Sequence, residues 1–424
     1  MIGAVGTGLL LLLAASIPVA AVLFLLAFGV DWLYSPFPLI RGLGQVVWSS
    51  SDSSLLIAIP FFVLLGEVLV RSGIAERTYA ALDAWASWAP GGLVHANIGT
   101  ATLFSATSGS SVATAATVAT VAMPQAERLG YDPRLFAGSI AAGGTLGIMI
   151  PPSINLIVYG FLTETSVPRL FLAGLVPGLL LALLFMLVTA ALCKANPALG
   201  GPRRSAPWPV RFRALIDLLP VAVLFAAVVG SIYAGLATPT EAAALGVAMA
   251  LLIAAARRTL TWGGTREALL GTVRVTAMIM FVILGAYVLN FALASAGLGQ
   301  ALRAFLDGLG LSPFLTLLAI VLLYIVLGFF IETLSLMVAT IPIVVPIIAD
   351  LGYDKVWFGI LMILLVEMAL ITPPVGLNLY VVQGARSSGN LGQVMAGVLP
   401  YVAAMLVMAA LLIAFPAIAL WLPG

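Results

Sequence analysis

The chain has 424 residues, of which 62% are hydrophobic and 8% charged, with 18 Lys and Arg against 16 Asp and Glu and a formal net charge of +2. A soluble domain carries roughly 25% charged residues, so a water-soluble globule is excluded, and a disordered chain would need low hydrophobicity and high net charge. What remains is an all-α polytopic membrane protein lying in a lipid bilayer, with room for about ten spans of roughly 20 residues each.

Taken in chain order, apolar runs with few charges predict spans at about 2–30, 55–72, 134–165, 168–193, 213–235, 237–256, 270–293, 355–385 and 393–421. Met1 to Val30 has no basic n-region, so it reads as a first span, with Pro18 as a break, rather than a cleaved signal. Two further apolar stretches, 97–127 and 312–350, are interrupted in their middles by Thr107-Ser108-Gly109-Ser110-Ser111 and by Ile331-Glu332-Thr333. Each reads as a re-entrant helical hairpin, because non-helical backbone at membrane depth is tolerated only inside protein or beside a wet cavity. With nine crossings and two hairpins, 14 basic residues fall on one side and four (Arg41, Arg169, Arg303 and Lys355) on the other. The positive-inside rule then places the N-terminus in the cytoplasm and the C-terminus outside.

The second half repeats the first. Gly130-Tyr131-Asp132 recurs as Gly352-Tyr353-Asp354, Pro151-Pro152 as Pro373-Pro374, and Pro124 as Pro346, each 222 positions on. Five crossings lie between the two Gly-Tyr-Asp loops, so the second copy is expected to face the opposite way. Inverted repeats of this kind are typical of secondary transporters. The chain divides accordingly into an N-terminal scaffold span and loop (1–54), a first repeat (55–193), a basic loop with scaffold spans (194–269) and a second repeat (270–424).

Each repeat holds a polar hairpin tip and a Pro-Pro pair inside an apolar span. Proline removes a backbone donor and clashes with the preceding turn, so these spans should unwind. Freed carbonyls and hydroxyls suit Na⁺, and the N-terminal ends of the half-helices suit an anionic substrate.

These residues resemble the large membrane (permease) subunit of the tripartite ATP-independent periplasmic (TRAP) transporters. The resemblance covers essentially the whole chain and is carried by Phe104 to Thr114, Gly144 to Ser153, Ala237 to Ala243, and Glu332 to Pro346 followed by Thr372-Pro373-Pro374. It implies an elevator-type transporter that couples inward Na⁺ flow to uptake of an organic acid, a carboxylate, across the bacterial inner membrane. It also implies two partners: a periplasmic substrate-binding protein and a separate small four-helix membrane subunit. By the same resemblance the sodium and substrate site falls to Ser108, Gly109, Ser110, Ser111, Pro152 and Ser153 in the first half. In the second half it falls to Glu332, Thr333, Thr372, Pro374 and Gly376. Na⁺ is the coupling ion, and no other cofactor is implied. The alternative is a stand-alone sodium–carboxylate symporter of related architecture.

Other readings of single residues stand beside these. Glu332 reads either as a functional acid at membrane depth or as an acceptor that holds the hairpin's shape. Glu367 either faces the site or pairs with a neighbouring helix. Glu67 and Arg71 are spaced for an i,i+4 pair, and Glu241 follows Thr238-Pro239-Thr240 as at a helix N-terminus. Trp32, Trp48, Trp85, Trp88, Trp262 and Trp357 suit interfacial belts. The stretches 73–95 and 297–309 suit arms along the membrane surface. Enzyme chemistry finds little support: a single His (His95) and a single Cys (Cys193) exclude a His-Glu-x-x-His zinc site and a disulfide. There is also no P-loop, and no basic stretch suited to nucleic acid.

Overall fold

The computed structural model describes residues 1–202 and 204–424; Arg203 and the side chains of residues 2, 105–108, 302, 303, 305–307 and 309 lie outside the described set. Among the described residues the secondary structure is helical throughout, without strands. Helices α1 (Ile2–Ala14) and α2 (Val19–Tyr34) flank Pro18, so the expected first span is two helices. Helix α3 (Ile40–Ser51) occupies what the sequence predicts as loop. One of its two glycines explains the fit: a side chain at Gly42 would come within 2.4 Å of the Phe291 ring. Helices α4 (Ser54–Arg71) and α5 (Ile74–Ala86) meet at a 67° bend, where Gly73 takes φ +67°.

Then come α6 (Leu93–Ser108), α7 (Ser111–Leu129), α8 (Pro133–Met149), α9 (Ile154–Thr163) and α10 (Val167–Ala195). Helices α11 (Trp208–Tyr233), α12 (Pro239–Ala256) and α13 (Trp262–Ser295) follow. The chain then runs through α14 (Leu298–Leu309), α15 (Pro313–Gly328), α16 (Thr333–Asp350), α17 (Lys355–Ala369), α18 (Leu377–Gly384), α19 (Leu391–Ala414) and α20 (Ala417–Leu420). Among the described residues six helices are by themselves long and apolar enough to cross a membrane, and α8 with α9 passes only as a pair bent by 40°.

The repeated Gly-Tyr-Asp has a local physical meaning. Gly130 (φ +70°) and Gly352 (φ +83°) supply the left-handed residue that lets the chain leave a helix. Asp132 then caps α8 by accepting from the amides of Arg134 at 2.9 Å and Leu135 at 3.0 Å. Asp354 caps α17 through the Trp357 amide at 2.9 Å. The helix breaks recur at the same spacing as the motifs: Ser110 caps α7 and Glu332 caps α16, 222 positions apart. Both Pro-Pro bonds are cis.

Helices α8 and α17 form the centre. Every residue from Leu135 to Met149 and from Val356 to Ala369 is buried, as expected of helices apolar all round. Small residues permit this packing: a side chain at Gly397 of α19 would lie 1.8 Å from the Arg134 carbonyl oxygen of α8. Around this centre sit α6, α7, α10, α15, α16, α18 and α19, while α2, α4, α11, α12 and α13 pack on one another beside it. Helix α5 touches both α6 and α11. Its Trp85 Nε1 donates to the Arg211 carbonyl at 3.0 Å, Asp83 pairs with Arg204 at 3.5 Å, and Arg77 pairs with Asp217 at 3.6 Å.

Several local expectations resolve. Glu67 pairs with Arg71, and Thr238 with Glu241 forms a capping box. Trp32, Trp48, Trp88 and Trp262 are exposed. Trp357 is not in a belt: it is buried, its indole nitrogen donating to the Leu412 carbonyl at 2.8 Å. Trp85 is half-buried, edge-on against the exposed rings of Trp208 and Phe212.

Candidate functional site

At the first tip, Gly109 takes φ +61°, a conformation suited to glycine. A Cβ there would stand 3.4 Å from the carbonyl oxygen of Pro152, so the tip of the α6–α7 pair rests on the break between α8 and α9. Ser110 caps α7 by accepting from the Ala113 amide at 3.3 Å, and Ser153 caps α9 by accepting from the Leu156 amide at 3.3 Å. Ser111, Pro152 and Ser153 are buried. The side chain of Ser108 lies outside the described residues.

The second tip is more open. Glu332 is exposed, and its two carboxylate oxygens accept from the amides of Leu334 at 3.1 Å and Ser335 at 3.0 Å. This is the shape-holding arrangement, with the acid at the positive end of α16. Thr333 is buried, and its hydroxyl has no hydrogen-bond partner among the described residues. A cavity of about 290 Å³ separates this tip from the break between α17 and α18, with Glu332 and Gly376 both in its wall. Pro374 is exposed, and Thr372 turns its hydroxyl back onto the Met368 carbonyl at 2.6 Å, so neither is hydrogen-bonded to a hairpin tip.

The two halves meet directly. Ser111 Oγ donates to Glu367 Oε2 at 2.5 Å, joining α7 of the first half to α17 of the second. Asn378, just past the second break, donates to the Ala141 carbonyl of α8 at 3.2 Å. The sequence reading assigns no role to Asn378 or to its counterpart Asn155. The signal was there: each Pro-Pro pair is followed within four residues by an Asn that the structure buries.

Thus four helix N-termini, those of α7, α9, α16 and α18, begin at the breaks, and four C-terminal ends, those of α6, α8, α15 and α17, stop there. The first set favours an anion, and the second, with hydroxyl and amide oxygens, favours a hard cation. Buried polar atoms are normally partnered. Among the described residues thirteen buried side-chain atoms are not, and four of them, Asn155 Nδ2, Thr333 Oγ1, Glu367 Oε1 and Asn378 Oδ1, lie on helices that meet at the breaks. Oxygens left in this condition fit Na⁺ as a ligand.

The profile of the tripartite ATP-independent periplasmic transporter family, DctM component, matches residues 7–418. The chain belongs to the TRAP transporter family. It is a multi-pass large permease, and the TRAP permeases it matches span nearly its whole length. One is the C4-dicarboxylate TRAP transporter large permease protein DctM of Pseudomonas aeruginosa, 37% identical over 92% of this chain and 91% of that protein. Another is the sialic acid TRAP transporter large permease protein SiaM of Vibrio cholerae, 33% identical over 89% of this chain and 88% of its own. The fold is shared with the YdaH transporter of Alcanivorax borkumensis, with a TM-score of 0.68 at 17% identity, covering 98% of this TRAP permease and 99% of the other chain.

Proposed function

We propose that this permease couples Na⁺ entry to import of an organic acid across the bacterial inner membrane. A periplasmic binding protein delivers the acid, and a small four-helix membrane subunit completes the complex. The observation that carries this reading is the pair of broken-helix sites 222 residues apart, each setting a capped tip near a Pro-Pro break. The two sites are read as inverted copies at the midplane, each holding Na⁺, with the positive helix ends turned to the substrate carboxylate. Relatives named for C4-dicarboxylate and sialic acid support an acid as substrate.

Ser108, Gly109, Ser110, Ser111, Pro152 and Ser153 form the first site in this reading. Glu332, Thr333, Thr372, Pro374 and Gly376 form the second. The chain's own chemistry is positional: hydroxyls and carbonyls replace the ion's hydration shell, and at the first, buried break the packing keeps water out. Na⁺, when bound, supplies the charge that attracts the acid. Alternation is by an elevator movement of the α6–α10 and α15–α19 block against α2, α4 and α11–α13, a division supported by how these helices pack. Helix α5 bridges the two groups as an arm.

The test is uptake of labelled succinate and sialic acid by proteoliposomes holding the permease alone, with the small membrane subunit, and with both partners. Uptake only in the complete mixture is the expected result. Equal uptake by the permease alone would establish the stand-alone symporter instead.

A further inference from the structure

Glu367 is a fully buried carboxylate, 0% exposed. Among the described residues it has no ion-pair partner: the pairs there are Arg71 with Glu67 and Glu267, Arg77 with Asp217, and Arg204 with Asp83. One oxygen accepts from Ser111 Oγ and the other has no partner. Asn378, also 0% exposed, spends its amide hydrogen on the Ala141 carbonyl and leaves Oδ1 without a partner. Gly144 of α8 lies beside Ser111 and Asn378: a Cβ there would be 3.0 Å from the Ser111 carbonyl oxygen and 3.1 Å from Asn378 Nδ2. Ser111, Gly144, Glu367 and Asn378 therefore form one buried cluster drawn from four helices, two from each half of the chain.

We infer that Glu367 and Asn378 complete a cation site with Ser111, in which Glu367 supplies the negative charge from the second half to an ion held at the first hairpin. The inference rests on the Na⁺ reading of the proposed function and names two residues of that site. A carboxylate that ionises away from water needs a compensating charge, and among the described residues no basic side chain pairs with this one. Its unpartnered Oε1, the unpartnered Oδ1 of Asn378 and the lone pairs of the Ser111 hydroxyl are oxygen donors of the kind a hard cation takes. Gly144 lets α8 pack this closely against α7 and α18, since a Cβ there would also meet Ala115 Cβ at 2.8 Å. An ion held this way pins the first hairpin to the second broken span, so its occupancy is felt by both halves at once.

The test is thermal unfolding of the purified full-length permease in detergent, titrated with NaCl against choline chloride at constant ionic strength. In the wild type the melting temperature rises with Na⁺. Glu367→Gln raises the Na⁺ concentration for half of that rise at least tenfold. In choline alone it melts no lower than the wild type, because it keeps an acceptor for Ser111 and, unlike the acid, never has to ionise in the buried site. A purely structural hydrogen-bond role, which the Gln amide oxygen can still fill, would leave the Na⁺ titration in place. Ser111→Ala, which keeps the charge, serves where Glu367→Gln fails to fold, and shifts the titration several-fold. An unshifted titration in the variants beside a responsive wild type overturns the Glu367 site alone. A wild type that ignores Na⁺ overturns this site together with the Na⁺ reading.

Discussion

Ser111 donates its hydroxyl hydrogen to Glu367 at 2.5 Å across 256 residues of sequence. Ser111 opens the second helix of the first hairpin, and Glu367 lies in the last turns of the central helix of the other half. This bond joins two regions that each repeat would otherwise keep to itself. Because both partners are buried, the coupling between them should be measurable. A double-mutant cycle with Ser111→Ala and Glu367→Ala, each of which removes the bond, is expected to give about 1–3 kcal/mol, the range for a hydrogen bond to a charged group or for stranding a buried acceptor. Additive effects in thermal denaturation would show that the two residues act independently.

The hairpin tips are expected to act on the ion rather than on partner docking. Ser110→Ala removes the cap of α7, a loss of about 1 kcal/mol, and Thr372→Ala removes a hydroxyl beside the second break. Both should raise the Na⁺ concentration for half-maximal uptake several-fold. Affinity for the binding protein, read by surface plasmon resonance on immobilised permease, should not change. Unaltered Na⁺ activation in both variants would remove these residues from the site.

Packing at the centre should be intolerant of a single methyl group. Gly397→Ala places Cβ 1.8 Å from the Arg134 carbonyl oxygen, and relief requires backbone movement of α8 against α19. Overpacking costs typically about 1–3 kcal/mol, and contact with rigid backbone puts this site at the upper end. A melting temperature within experimental error of the wild type would contradict the close approach.

Much of this architecture was legible in the sequence because it is written in local backbone chemistry. Gly130 and Asp132 end one helix and cap the next, and Gly352 and Asp354 do so again. Such signals act within a few residues and survive without knowledge of tertiary contacts. What was not legible depends on side chains meeting across the fold. Glu367 reads in sequence as an acid that either faces the site or pairs with a neighbouring helix, and only the approach of α7 gives it Ser111 as partner. Trp357 has the composition of an interfacial residue, but its place on α17 turns it to the core. Helix α3 carries two glycines and three serines, a loop-like composition, and is held by nesting against α13.

The arm helix α5 should stay with the scaffold. Its Asp83 and Arg77 pair with Arg204 and Asp217, and Trp85 holds the Arg211 carbonyl. Spin labels at exposed positions 76 and 216 are expected to keep one distance when Na⁺ and substrate are added. Labels at 216 and 127, the latter near the end of the first hairpin, should show a second distance. Equal shifts for both pairs would show that the arm travels with the hairpins.

The central claim is that Na⁺ movement through this permease drives import of the acid. Its most direct measurement is labelled-succinate and sialic-acid uptake by proteoliposomes containing the permease, its small membrane subunit and the binding protein, under an imposed inward Na⁺ gradient. Concentrative uptake that collapses when K⁺ replaces Na⁺ outside, or when a Na⁺ ionophore dissipates the gradient, is the expected result. Uptake of the same rate and extent without a Na⁺ gradient would contradict it.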